Sequence, residues 1–180
     1  MNLHIYQKGR NYNIFQDSQD NLVFTGKWFW TWNKGNQLEI RDLEGQLLLT
    51  VVAGSSWAWV WNAKYFLTTI YDHQKYEIKC VKWPKRHYQM TGNNLSFDYY
   101  RHQGYLKSIF VNNVQVAKVN RANFNFFKKD TIIIRCDSDQ NPLLICGLAL
   151  TFEMGSESDG SEHYINDPNK KHYDDNWRPK

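Results

Sequence analysis

The stretch from Asn141 to Met154, Asn-Pro-Leu-Leu-Ile-Cys-Gly-Leu-Ala-Leu-Thr-Phe-Glu-Met, constrains the chain more than any other. Pro142 suits a first helical position, Asp137, Asp139 and Asn141 precede it as cap candidates, and Gly155 follows as a stop signal. From Leu143 to Leu150 the helix is apolar all round, so it must be buried on every side or lie in a bilayer. About 13 residues of helix span roughly 20 Å, short of the ~18 or more apolar residues of a membrane span. Burial within the protein is therefore expected, and no other segment reads as a helix able to share it.

Everything before this helix reads as strands. Turn signals recur at short intervals, among them Gly9-Arg-Asn11, Asn33-Lys-Gly-Asn36, Asp42-Leu-Glu-Gly45, Asp72-His-Gln74, Gly92-Asn-Asn94 and Asn112-Asn113. Between them lie short runs rich in aromatic and β-branched residues, such as Gln37-Leu-Glu-Ile-Arg41, Phe66–Tyr71 and Thr131–Ile134. Val114–Val119 reads as a clean alternation with one face in water. The spacing predicts about twelve strands (boundaries good to ~2–4 residues) in successive antiparallel hairpins. Closed on itself, such a sheet is wider than an eight-stranded barrel and leaves room for a helix ~10–12 Å across. The expected fold is a mainly β, antiparallel closed barrel around a central apolar helix at 141–154, one domain over 1–154, with a polar, flexible tail over 155–180. Tyr164, Ile165, Tyr173 and Trp177 leave open that part of the tail packs on the barrel.

The strongest run, Lys129-Asp-Thr-Ile-Ile-Ile-Arg-Cys-Asp-Ser-Asp-Gln-Asn-Pro-Leu-Leu-Ile-Cys-Gly-Leu-Ala-Leu-Thr-Phe-Glu153, joins a final strand, an acidic turn and the apolar helix. With the Asp42-x-x-Gly45 hairpin it resembles the tubby C-terminal-like superfamily, which groups tubby domains, phospholipid scramblases, LURP-one-related proteins and short bacterial relatives. The resemblance spans residues 3 to 154 and implies a twelve-stranded barrel around a central helix. It implies little about activity, since some members bind phosphoinositides or act at membranes and others have defence roles. The Pro-rich N-terminal region of scramblases has no counterpart here, and no functional residue carries over from the family.

Charge and motifs narrow the function. The net charge of +4 divides unevenly: the residues up to Met154 hold 18 basic and 12 acidic side chains, and the remaining 26 hold 4 and 6. A basic body favours phosphate-bearing partners. Its densest stretch is Lys75-Tyr-Glu-Ile-Lys-Cys-Val-Lys-Trp-Pro-Lys-Arg-His87, in which Lys79, Lys82, Trp83, Lys85 and Arg86 form a candidate anionic-ligand surface. The alternative is a solvated hairpin whose lysines deter edge pairing. Two tryptophan triplets, Trp28/Trp30/Trp32 and Trp57/Trp59/Trp61, place three indoles on one strand face each. They are expected to pack around the helix or across neighbouring strands, because six exposed indoles make a large apolar patch.

Other chemistry is not indicated. Asp137-x-Asp139-x-Asn141 imitates a calcium loop but continues into Pro142 and lacks a bidentate Glu, so helix capping is the expected role. His4, His73, His87, His102, His163 and His172 form no metal-binding pair and read as exposed loop residues. Cys80, Cys136 and Cys146 have no CxxC spacing and read as reduced thiols. No nucleophile elbow or phosphate loop is present, so no catalytic residue, cofactor or metal is assigned and the chain is expected not to be an enzyme. No secretory signal opens the sequence, and a cytoplasmic location, peripheral to membranes, is the expectation. The expected function is a non-catalytic binding or scaffold domain contacting anionic phospholipid or a membrane-associated protein, with nucleic acid and a transmembrane span not expected. The alternatives are a small-molecule or carbohydrate-binding barrel and an enzyme without a recognisable motif.

Overall fold

A computed structural model describes residues 1–54, 64–82, 87–102, 106–122, 130–155, 171 and 174–180. Strands follow one another along the chain: β1 (Asn2–Lys8), β2 (Asn11–Gln16), β3 (Leu22–Thr31), β4 (Gly35–Arg41), β5 (Leu47–Ala53) and β6 (Lys64–Thr69). They continue as β7 (Lys75–Lys82), β8 (His87–Gly92), β9 (Leu95–Arg101), β10 (Leu106–Val111), β11 (Val114–Ala122) and β12 (Asp130–Cys136), and helix α1 (Pro142–Gly155) comes last. Each strand pairs antiparallel with its sequence neighbours, and β1 pairs with β12, with Leu3 opposite Ile134 and Ile5 opposite Ile132. The sheet is thus a closed twelve-stranded barrel with no edge left unpaired.

Alternation sets the inner surface. Leu38 and Ile40 of β4 face Val51 and Leu49 of β5, all fully buried, while Glu39 and Thr50 between them point outward. The same inward phase runs through Leu67, Ile78, Met90, Ile109 and Ile134. Helix α1 fills this interior, as the sequence predicts. Ile145, Cys146 and Leu148 through Phe152 have no solvent exposure, and Gly147 between them is buried. A Cβ at Gly147 would lie 2.9 Å from Leu67 Cδ1 and 3.0 Å from Leu49 Cδ1, so the helix backbone runs against the wall there. At the other end of α1 the Phe152 ring meets Tyr88 and Tyr99 edge-on, with centroids 4.8 and 4.4 Å apart. A lumen filled in this way removes the small-molecule-carrier reading.

Two local expectations need correction. The helix is capped by Asn141 alone, whose Oδ1 accepts from the N–H groups of Leu143 (2.9 Å) and Leu144 (3.4 Å). Asp137 Oδ1 instead accepts from the Lys180 N–H at 2.7 Å, and Asp139 from the Gln140 side chain. In β11 the expected alternation is broken: a bulge opposite Ile109/Phe110 slips the register, so Ala117 and Val119 face the core and Val114 is exposed. At the C-terminal end Trp177 Nε1 donates to Gln115 O at 3.1 Å, and Lys180 O accepts from the Ser138 N–H at 3.1 Å, which ties these two residues to the barrel.

Candidate functional site

In an up-and-down barrel every second connection lies at the same end, so the twelve strands sort the connecting segments into two rims. The rim where α1 begins carries 17–21, 42–46, 70–74, 93–94, 112–113 and 137–141. These contain seven acids, Asp17, Asp20, Asp42, Glu44, Asp72, Asp137 and Asp139, and no Lys or Arg. At the opposite rim the described connections are 9–10 and 32–34; the sequence between the remaining strand ends there, 55–63, 83–86, 103–105 and 123–129, lies outside the described residues. The two described connections hold Arg10, Lys34 and Trp32 and no Asp or Glu; by sequence the others hold Lys85, Arg86, Lys128, Lys129 and four more of the eight tryptophans, again with no Asp or Glu.

Most of the acids have local structural work. Asp17 Oδ1 accepts from the Asn2 N–H at 2.8 Å, which holds its carboxyl below the usual range. Asp42 Oδ1 accepts from the N–H groups of Glu44 (3.0 Å) and Gln46 (2.8 Å), and Asp72 accepts from the Thr69 hydroxyl, which lowers its pKa. These are turn-forming carboxylates, the usual role of Asp at a hairpin. At the opposite rim the two described cations, Arg10 and Lys34, are exposed.

The Trp28/Trp30/Trp32 triplet lies at this basic rim and corrects the expectation that its indoles are core-packed. Trp28 and Trp30 share the inward phase of β3, opposite Leu38 and Asn36. Trp28 packs against the core, and the Arg10 guanidinium stands 5.4 Å from its ring centroid. Trp30, one repeat further toward the rim, is 44% exposed, and Trp32, beyond the end of β3, is 87% exposed. The two rings meet edge to face, with centroids 4.9 Å apart at 68°. Trp57, Trp59 and Trp61 lie outside the described residues.

Of the candidate anionic-ligand residues, Lys79 is exposed on the outer face of β7, opposite Lys64 on one side and Gln89 on the other. Two like charges directly across a ladder are unfavourable, and Lys64 is partly offset by Glu77 at 3.1 Å. Exposed Phe66 and Val81 share this outer face. Lys82 ends β7 opposite His87, at the basic rim; Trp83, Lys85 and Arg86 lie outside the described residues.

Three histidines depart from the exposed-loop expectation, the first being His4, which is partly buried within β1 opposite Ile133 and Phe15. His87 Nε2 lies 2.7 Å from Asp98 Oδ1, largely shielded, and its ring stacks on Tyr100. His102 Nε2 lies 2.5 Å from Ser108 Oγ. Ser108 is fully buried and so presents no nucleophile to solvent, which makes both pairs tertiary links between strands. His163 and His172 lie outside the described residues. All three cysteines are thiols, with Cys136 and Cys146 buried; burial pushes Cys136 up to about 11 and Cys146 upward as well. Among the described residues no group of three or more His, Cys, Asp or Glu is placed to hold a metal.

Sequence reading located the basic stretch but missed Arg10 and Lys34 as its rim-mates. The signal was the sign of charge in alternate turns, which acquires meaning only once the barrel is known to close.

Comparison with known proteins follows the same line. A family model described as LURP-one-related matches residues 1–153. Among solved structures, an X-ray structure of a protein from Arabidopsis thaliana matches with a TM-score of 0.57 at 14% identity, covering 85% of this chain and 90% of that chain. At that identity the likeness is one of fold. No curated protein matches.

Proposed function

This chain belongs to the LURP-one-related family, and from that membership and the opposed charge of its two ends we propose that it is a non-catalytic binding domain whose basic rim docks on anionic lipid. What supports the reading is the segregation of charge in the sequence that joins the strands: the described turns at one rim hold acids and no Lys or Arg, whereas the described turns at the other hold Arg10, Lys34 and Trp32, and the sequence between the remaining strand ends adds further cations and tryptophans and no acid. A molecule polarised in this way turns its basic end toward an anionic surface and its acidic end away. Each Lys or Arg near such a surface is worth about 1 kcal/mol, within a Debye length of ~8–10 Å, so several together give reversible, salt-sensitive attachment. Lys79, Lys82, Trp83, Lys85 and Arg86, around the β7–β8 connection, are the headgroup contacts in this proposal.

Docking requires no spanning segment, and no described helix is long and apolar enough to cross a membrane. The proposed location is accordingly the cytoplasmic face of a membrane, reached from solution. Catalysis is no part of the reading: the barrel interior is packed, and a LURP-one-related barrel fits a binding domain in general terms.

Co-sedimentation with phosphatidylcholine vesicles, with and without phosphatidylserine, tests the proposal. Binding is expected only with the anionic lipid, falling steeply as salt is raised, and Lys85→Glu/Arg86→Glu should weaken it severalfold. No binding to anionic vesicles at low salt refutes it.

A further inference from the structure

We propose that the tip of the β3–β4 hairpin is an interfacial anchor, with Trp32 and Trp30 entering the boundary between headgroups and acyl chains of an anionic bilayer; this rests on the lipid-docking reading above.

The tip is built to hold its shape. Thr31 pairs with Gly35 across a three-residue loop, and Gly35 takes the left-handed conformation (φ 65°) that such a loop requires. Gln37 Nε2 donates to Thr31 Oγ1 at 2.7 Å and ties the two strands together just below the loop. Nothing in this turn geometry calls for an indole at position 32, and a polar residue would close the loop equally well. Trp32 is nevertheless 87% exposed, with Trp30 packed edge-on against it. Two large apolar rings held on a stiff tip lose little conformational freedom on insertion, which favours association.

The surroundings specify the occupant. Lys34 lies in the same loop and Arg10 in the neighbouring β1–β2 turn, where its carbonyl accepts from the Trp28 N–H at 2.9 Å. No Asp or Glu occurs in residues 1–16 or 21–38, so this sector of the rim carries only positive charge. Indoles beside cations, with no carboxylate, match the interfacial region of an anionic bilayer, where Trp places its apolar body among acyl chains and its N–H at headgroup level. A sugar platform would present an open flat ring face. At 68° to one another the two rings form a wedge instead.

The test uses the full chain and vesicles of phosphatidylcholine and phosphatidylserine. Trp32→Ala should lower partitioning about tenfold, the loss expected for one large apolar side chain no longer buried, while leaving the slope of binding against salt unchanged. Lys34→Glu/Arg10→Glu should instead change that slope. Brominated acyl chains should quench wild-type fluorescence more than that of Trp32→Ala, with melting temperature and near-UV dichroism unaltered by the substitution. Wild type that fails to bind anionic vesicles at low salt overturns the lipid-docking reading and the anchor with it. Wild type that binds while Trp32→Ala binds as well and is quenched as much overturns the anchor alone, and so does full displacement from vesicles by soluble glycerophosphoserine or an oligosaccharide.

Discussion

Gly92 shows how tightly single positions are specified in this barrel. It ends β8 just before the Asn93-Asn94 turn, whose residues both have positive φ (48° and 60°), the geometry of a two-residue type I′ hairpin that Asn tolerates. A Cβ on Gly92 would lie 2.5 Å from the Lys75 carbonyl oxygen and 2.7 Å from the Tyr76 ring, and the carbonyl belongs to a paired strand that cannot swing away. Gly147 in α1 is also crowded, but by the flexible ends of Leu67 and Leu49. Alanine there gains up to ~1 kcal/mol of helix propensity to set against the strain. Gly92→Ala should therefore cost about 1–3 kcal/mol and Gly147→Ala clearly less. Urea midpoints of the two variants give the ordering, and an equal or reversed order sinks the argument.

Helix α1 carries a second constraint that its apolar sequence does not announce. Glu153, near the C-terminal end, is ill placed for the helix dipole, yet its side chain is 6% exposed and ion-paired with Lys107 of β10, itself 5% exposed. The Lys107 ammonium also stands 5.0 Å from the Phe152 ring centroid. A buried pair of this kind adds little net stability over apolar residues, but removing one partner strands a charge. Lys107→Met should thus cost ~3–5 kcal/mol, whereas Lys107→Met/Glu153→Leu should recover most of that loss. Equal destabilisation by the single and double variants, in chemical unfolding, would remove the pairing account. The contrast marks where the elements were legible in sequence. The helix, its Asn141 cap and the hairpin turns are set by local periodicity and turn chemistry, so their sequence signals suffice. The β11 bulge, the diversion of Asp137 to Lys180 and the Lys107–Glu153 pair depend on partners far away in the chain, and no local pattern encodes them.

At the scale of the molecule, the candidate site was visible in sequence only as separate pieces: a basic stretch, tryptophan triplets and scattered acidic turns. Closure of β1 on β12 gathers the acidic turns on one rim and sets Arg10, Lys34, Trp30 and Trp32 on the other. Closure also fixes which ionisable groups are sealed inside, and this gives the barrel a definite response to alkali. Burial, with Cys80 close by, pushes the Tyr65 phenol up to about 12, and burial pushes the Cys136 thiol to about 11; Tyr88 and Cys146 are shifted in the same direction. A group whose pKa is raised by folding keeps its proton in the native chain after the unfolded chain has lost it. Its contribution is complete below the unfolded values of about 8.5 for Cys and 10 for Tyr. It is lost as pH rises through the folded values, so each of Tyr65 and Cys136 forfeits ~2–3 kcal/mol by pH 12. Against a typical total of ~5–15 kcal/mol, those losses are a large share of the stability. The urea midpoint should hold steady from neutrality to about pH 8 and fall continuously above it. Tyr65→Phe, which removes one of the sealed protons, should flatten the upper part of that fall while leaving the thiol-dependent part. A midpoint that stays constant between pH 8 and pH 11 would show that these groups titrate freely in the native barrel, contrary to their complete or nearly complete burial.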